Sequence, residues 1–94
     1  MPLATIAAAL FTTAVVAQTN EQKLLSALWI EWGLAHCDVS IIPASTAMFA
    51  NMIIGGTEKS TVEAARLQVS EGIKAAHRDD IAGACAELAN ALKS

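Results

Sequence analysis

Cys37 stands between His36 and Asp38 in the stretch WGLAHCDVS, and the chain has one other cysteine, Cys85. Three chemistries fit such residues: a nucleophilic thiol activated by imidazole, a metal ligand, and a disulfide. A cysteine nucleophile needs the imidazole within hydrogen-bond reach of its sulfur. Adjacent helical residues point about 100° apart, which places His36 badly for Cys37. His77 could approach only through the fold, and no oxyanion-hole motif accompanies either histidine.

Zinc could draw on His36, Cys37, His77 and Cys85, but the C-x-x-C or H-x-x-x-H spacings that bring such ligands together are absent. Met48 and Met52, four residues apart on one helix face, offer two thioethers to Cu(I), a soft ion. Beside Phe49, methionines at that spacing are far more often ordinary core filling. The run GGTEKST lacks the spacing of a phosphate loop and does not follow a strand. Asp79-Asp80 is accounted for as a helix cap, and Glu63, Arg66, Glu71 and Lys74 as a solvated face. These residues together predict a protein that is not an enzyme, with no cofactor and no metal.

The disulfide reading depends on compartment. Residues 1–17, MPLATIAAALFTTAVVA, carry no charge and are followed abruptly by QTNEQK. That length falls short of the roughly 20 apolar residues of a membrane span and suits the apolar region of a signal peptide. Val15 and Ala17 are small residues at the third and first positions before a cut that would leave Gln18 first. No Lys or Arg precedes Lys23, so the basic start of a signal peptide is missing. The segment then reads alternatively as an uncleaved anchor or a hydrophobic helix, and the membrane enters only in that case. Export predicts a periplasmic or secreted protein whose residues 18–94 form a single helical domain.

In an oxidising compartment, two cysteines in a domain of about 80 residues are expected to pair. Closing the long loop between them would remove about 4 kcal/mol of unfolded-chain entropy. Hydrophobic residues make up 54% of the chain against 16% charged, which excludes disorder. The formal net charge is −3 and the cations are scattered, so nucleic acid is not an expected partner.

The elements that must position the cysteines read as helices. Over residues 20–36, with Asn20 as cap, Leu24, Leu25, Leu28, Trp32 and Ala35 form one apolar stripe, and Ile30, Leu34 and Cys37 a second one nearly opposite. A helix apolar on two faces is sandwiched between neighbours or shared with a second subunit. Pro43 opens a second helix, about 44–54, with Ala47, Met48, Phe49, Met52 and Ile53 as its buried side and Gly55-Gly56 as a left-handed stop.

A third helix should run over about 58–77, capped by Thr57, or by a Ser60/Glu63 capping box if it starts later. It buries Val62, Ala65, Val69, Ile73 and Ala76 and leaves Leu67 on the polar face. A fourth, about 80–92, is capped by Asp79 or Asp80 and buries Ile81, Cys85, Leu88 and Leu92. No alternating strand or hairpin signal occurs. The expected fold is all-α, a small four-helix irregular bundle stapled by Cys37 and Cys85. The bridge would pin the fourth helix to the Ile30 and Leu34 side of the first, with the second and third helices on the Leu28 and Trp32 side.

The expected function is non-catalytic binding to another protein or a ligand. Surplus apolar surface on the first helix predicts a homodimer or an interaction groove involving Trp29, Ile30 or Leu67. With Cys37, Cys85 and the helical class, the chain resembles the periplasmic acid-stress chaperones of the HdeA type, small helical proteins tied by one disulfide of similar separation. It differs from them in the long helix before Cys37 and the short tail after Cys85. That resemblance implies chaperone activity. A soft-metal or thiol-redox protein using Cys37 and Cys85, or Met48 and Met52, is the other alternative.

Overall fold

Thr19 begins the order. Its hydroxyl accepts from the Gln22 N–H at 3.1 Å, while the Gln22 side chain accepts from the Thr19 N–H at 3.0 Å. This reciprocal capping box starts helix α1, Asn20–His36. The cap is therefore Thr19 and not Asn20, because T-x-x-Q satisfies two helix-end donors at once. The computed structural model describes residues 19–93, and the reading of residues 1–17 as signal peptide or hydrophobic helix lies outside them.

After α1 come a 3₁₀ turn, Val39–Ile41, and three helices: α2, Ala44–Gly55; α3, Lys59–His77; and α4, Ile81–Lys93. The described residues form an all-α four-helix bundle with no strand. Asp38 caps the 3₁₀ turn by accepting from the Ser40 N–H at 3.0 Å, and this contact holds its carboxyl below the usual carboxylate range. Asp80 caps α4 through the Gly83 N–H at 2.9 Å. Thr57 does not cap α3: its hydroxyl donates to the Ile53 carbonyl at 2.7 Å, and the helix opens at Lys59 without a side-chain cap. Gly56 ends α2 at φ −90°, its N–H on the Met52 carbonyl at 2.9 Å, so no left-handed residue is needed there.

Helix α1 is the central element. Seven consecutive residues, Leu24 to Ile30, are buried, which a helix achieves only with neighbours on more than one side. Leu24, Leu25 and Leu28 pack with Val62 and Ala65 of α3. Ala27, Trp29 and Ile30 pack with Ile42, with Ala50 of α2 and with Leu88 of α4. The two apolar stripes of α1 are thus each occupied, and the chain itself supplies the sandwich.

Three assignments of buried faces change. In α2 the inward residues are Ala50, fully buried, with Ala47, Ile53 and Ile54 partly buried, while Met48, Phe49 and Met52 face outward. The small Ala50 and Ala27 share a cluster, and small residues let α1 and α2 approach where larger ones would hold them apart. In α4 the buried residues are Ala84 and Leu88, and Ile81 is half-exposed in the first turn. In α3, Val62, Ala65 and Gly72 are buried, whereas Ala76, like Ala35 of α1, is exposed.

Cys37 and Cys85 are joined as a disulfide over a sequence separation of 48, with Cα atoms 5.7 Å apart. Two ion pairs also tie helices together. Arg66 of α3 donates through Nε and Nη2 to both carboxylate oxygens of Glu31 on α1, at 2.8 and 3.0 Å. Glu31 raises the Arg66 guanidinium further above its usual value. Both partners are more than a third exposed, so solvent limits the pair to about 0–1 kcal/mol. His77 at the end of α3 meets Glu87 of α4 at 3.0 Å.

The Ser26 hydroxyl is buried in α1 with no hydrogen-bond partner among the described residues. Ser26→Ala should therefore stabilise the protein by about 1 kcal/mol, since the hydroxyl loses its hydration and gains nothing. A thermal melt measures this, and a melting temperature below that of the parent protein would contradict it.

Candidate interaction surface

Neither cysteine is free, so the bridge occupies both candidate thiols. The His36 ring turns away from Cys37. Its Nδ1 lies 2.9 Å from the Trp32 carbonyl, and the ring stacks on the Trp32 indole with centroids 4.6 Å apart and planes 14° from parallel. His77 sits at the other end of the α3–α4 turn against Glu87. Cys37, Cys85, His36 and His77 therefore do not converge as one reactive set. Among the described residues, no group of three or more His, Cys, Asp or Glu side chains is placed to share a metal ion.

Of the three residues expected at an interface, two are withdrawn from it. Trp29 is 2% exposed and Ile30 4%, both in the cluster made with α2 and α4. The physical reason is the double coverage of α1: the surface that seemed surplus is consumed by Ala50, Ile42 and Leu88. Leu67 alone keeps the expected exposure, at 61% on the outer side of α3.

The exposed apolar surface lies elsewhere. On α2, Met48 is 66%, Phe49 50% and Met52 72% exposed. Spacings of one, three and four residues put these side chains on one continuous face of the helix. Val39, in the turn before α2, is exposed as well. No charged residue occurs from position 39 to position 57, so this helix carries no formal charge, and the nearest charges are Asp38 before it and Glu58 after it.

Sequence reasoning missed this face because α2 is apolar nearly all round, and periodicity cannot choose a side where every side qualifies. Two signals were available: the uncharged run itself, and the pairing of small Ala47 and Ala50 at a helical repeat. Large apolar side chains were assigned inward by size, but the inward face is centred on the small Ala50, with Ala47, Ile53 and Ile54 beside it.

The face is chemically specific in a limited way. Methionine side chains are unbranched, flexible and polarisable, so they fit many apolar partners with little strain, and Phe49 supplies a rigid ring. With no charge, the face cannot select partners by electrostatics. It also does not suit phosphate backbones or anionic lipid, both of which demand clustered cations. No helix among the described residues is long and apolar enough to cross a membrane.

Comparison of the chain with protein-family models, with curated proteins and with solved structures returned no match.

Proposed function

We propose that this is a non-catalytic binding protein, exported to an oxidising compartment, that uses the outward face of α2 to hold an apolar segment of another polypeptide. The observation that carries the reading is the exposure of Met48, Phe49 and Met52 together on one uncharged helix face. The largest contiguous apolar patch on a small domain is often an interaction site. A patch of three side chains is modest for a stable dimer, which buries about 800 Å² per partner. It suits one apolar helix or extended segment laid along α2. The disulfide supports export, because such bonds persist chiefly in oxidising compartments.

The test uses the oxidised protein and an uncharged amphipathic Leu/Gln helical peptide as probe. Saturable binding is expected, weakened at least about 10-fold by Met48→Ser with Met52→Ser and unchanged by Leu67→Gln. No saturation, or equal loss with Leu67→Gln, would remove the α2 face as the site. Mass spectrometry of the protein from its native cell tests the export half. A chain beginning at Gln18 with the two-hydrogen deficit of a disulfide is expected, and an intact Met1 would replace cleavage with an uncleaved anchor or a hydrophobic helix of the fold.

The exposed apolar face also favours one more specific version, a chaperone of the HdeA type. Binding of an apolar dye should then rise between neutral pH and about pH 2. A flat response over that range would eliminate the chaperone while leaving the binding protein. The soft-metal alternative rests on the Met48 and Met52 thioethers, both open to solvent. A Cu(I) titration that shows no uptake dependent on these two residues discards it.

A further inference from the structure

We propose that the cleft between the C-terminal ends of α1 and α3 and the start of α4 binds a small organic monoanion with a flat apolar body, of the aromatic carboxylate class. The cleft has a volume of about 520 Å³, within the range of small-molecule sites. One wall is the stacked Trp32 and His36 pair, a flat surface suited to a ring. Ile73 and the half-exposed Ile81 add apolar contact. Ser70 and two cationic residues, Lys74 and Arg78, also line the cleft.

Arg78 is the residue that makes this more than a surface dent. It has φ 54° and ψ −118°, and it is the one non-glycine residue with positive φ among the described residues. With the Asp80 N–H on the His77 carbonyl at 2.9 Å, residues 77–80 form a type II′ turn whose first central position is Arg78. Glycine is the ordinary occupant of that position, because a Cβ there is strained. Reversing the chain therefore does not call for arginine. Arg78 lines the cleft, and a strained residue beside a cavity is a pointer to function.

The charges define the ligand. A guanidinium receives a carboxylate through two parallel hydrogen bonds, with Lys74 as a second cation. Asp79 also lines the cleft and leaves a net formal charge of one positive unit among these three groups, which matches a monoanion better than a phosphate dianion. The site is separate from the α2 face, so its failure and that of the peptide site are read independently.

The test is titration of the oxidised protein with 2-naphthoate, following the Trp32 indole N–H by NMR. A saturable shift with a Kd of about 1 mM or tighter is expected. The neutral isostere 2-naphthamide should bind at least about 10-fold more weakly. Arg78→Gly should weaken naphthoate binding about 10-fold while leaving the melting temperature equal or higher, a combination that a purely structural arginine would not give. Lys74→Gln, on an exposed helix surface, gives a second reading of the charge requirement independent of the turn. Absence of a saturable Trp32 shift up to about 10 mM naphthoate, equal affinity for the amide, or undiminished binding by both variants would overturn the proposal.

Discussion

Replacing Cys37 and Cys85 together by serine is expected to lower stability by about 2–4 kcal/mol, a fall in melting temperature on the order of 10–25 °C for a domain of this size. The loop-closure model gives about 4 kcal/mol for a separation of 48 residues, and relief of native strain or residual structure in the unfolded chain usually reduces that figure. The loss should not be uniform. Helix α4 places only Ala84 and Leu88 fully inside, and its first apolar residue, Ile81, stays half-exposed. The helix is held by those side chains, the partly buried Ala91 and Leu92, the His77–Glu87 pair and the bridge.

Hydrogen exchange on the serine variant should accordingly show protection falling first over residues 81–93. The cluster of Leu24, Leu25, Leu28, Val62 and Ala65, which joins α1 to α3 without α4, should remain protected longest. Reduction of the parent protein should reproduce both effects. A reduced protein melting within about 2 °C of the oxidised one would show that α4 docks by packing alone, and the staple would lose its structural role.

The same helix shows what was legible in the sequence. Cys37 and Cys85 were paired as the two cysteines of a small chain expected to be exported, with one at the end of a helical stripe and the other within a run at spacings of four, three and four. The stripe around Cys85 was less accurate, because the disulfide position need not be the centre of the buried face. Ala84 and Leu88 form that centre, while Ile81 falls on the rim of the cleft. Alanine carries little weight in a hydrophobicity pattern, yet it is the residue that lets two helices touch.

Helix α1 was readable for the opposite reason. Its two apolar stripes, one through Leu24 and Leu28 and one through Ile30, left a simple surface helix impossible, and the structure covers both. Which partner covered which stripe was not readable, since it depends on how closely each helix approaches. Ala27 and Ala50 share the cluster that brings α2 to the Ile30 side as well, and with Ala50 inward Met48, Phe49 and Met52 face outward. The candidate interaction face is thus a consequence of small-residue packing on the opposite side of the same helix. The cleft was unreadable for a different reason: a type II′ turn with arginine at its first central position violates the turn rule that sequence reading applies.

Leu88→Ala is expected to cost about 2–5 kcal/mol, and its effect should be coupled to Gly33 in a way that reverses the sign of a second substitution. Leu88 is fully buried, packed where α4 crosses α1, in the cluster with Trp29, Ile30 and Ile42. The crossing is close because Gly33 has no side chain. A Cβ added there would fall onto Leu88 Cδ2 inside contact distance and would lie 3.1 Å from Ile42 Cδ1. In the parent protein Gly33→Ala should therefore destabilise by about 1–3 kcal/mol through overpacking, despite the gain of about 1 kcal/mol that alanine brings to a helix interior. Once Leu88 is alanine, the clash with Cδ2 is gone. Gly33→Ala should then be neutral, or stabilising by up to about 1 kcal/mol, as the new methyl enters the cavity that Leu88 vacated. Denaturant unfolding of the two single variants and the double variant closes the cycle. A coupling energy near zero would mean that α4 shifts to accept the methyl, and that the α1–α4 crossing is set by the Cys37–Cys85 bridge and not by the fit of Leu88 against Gly33.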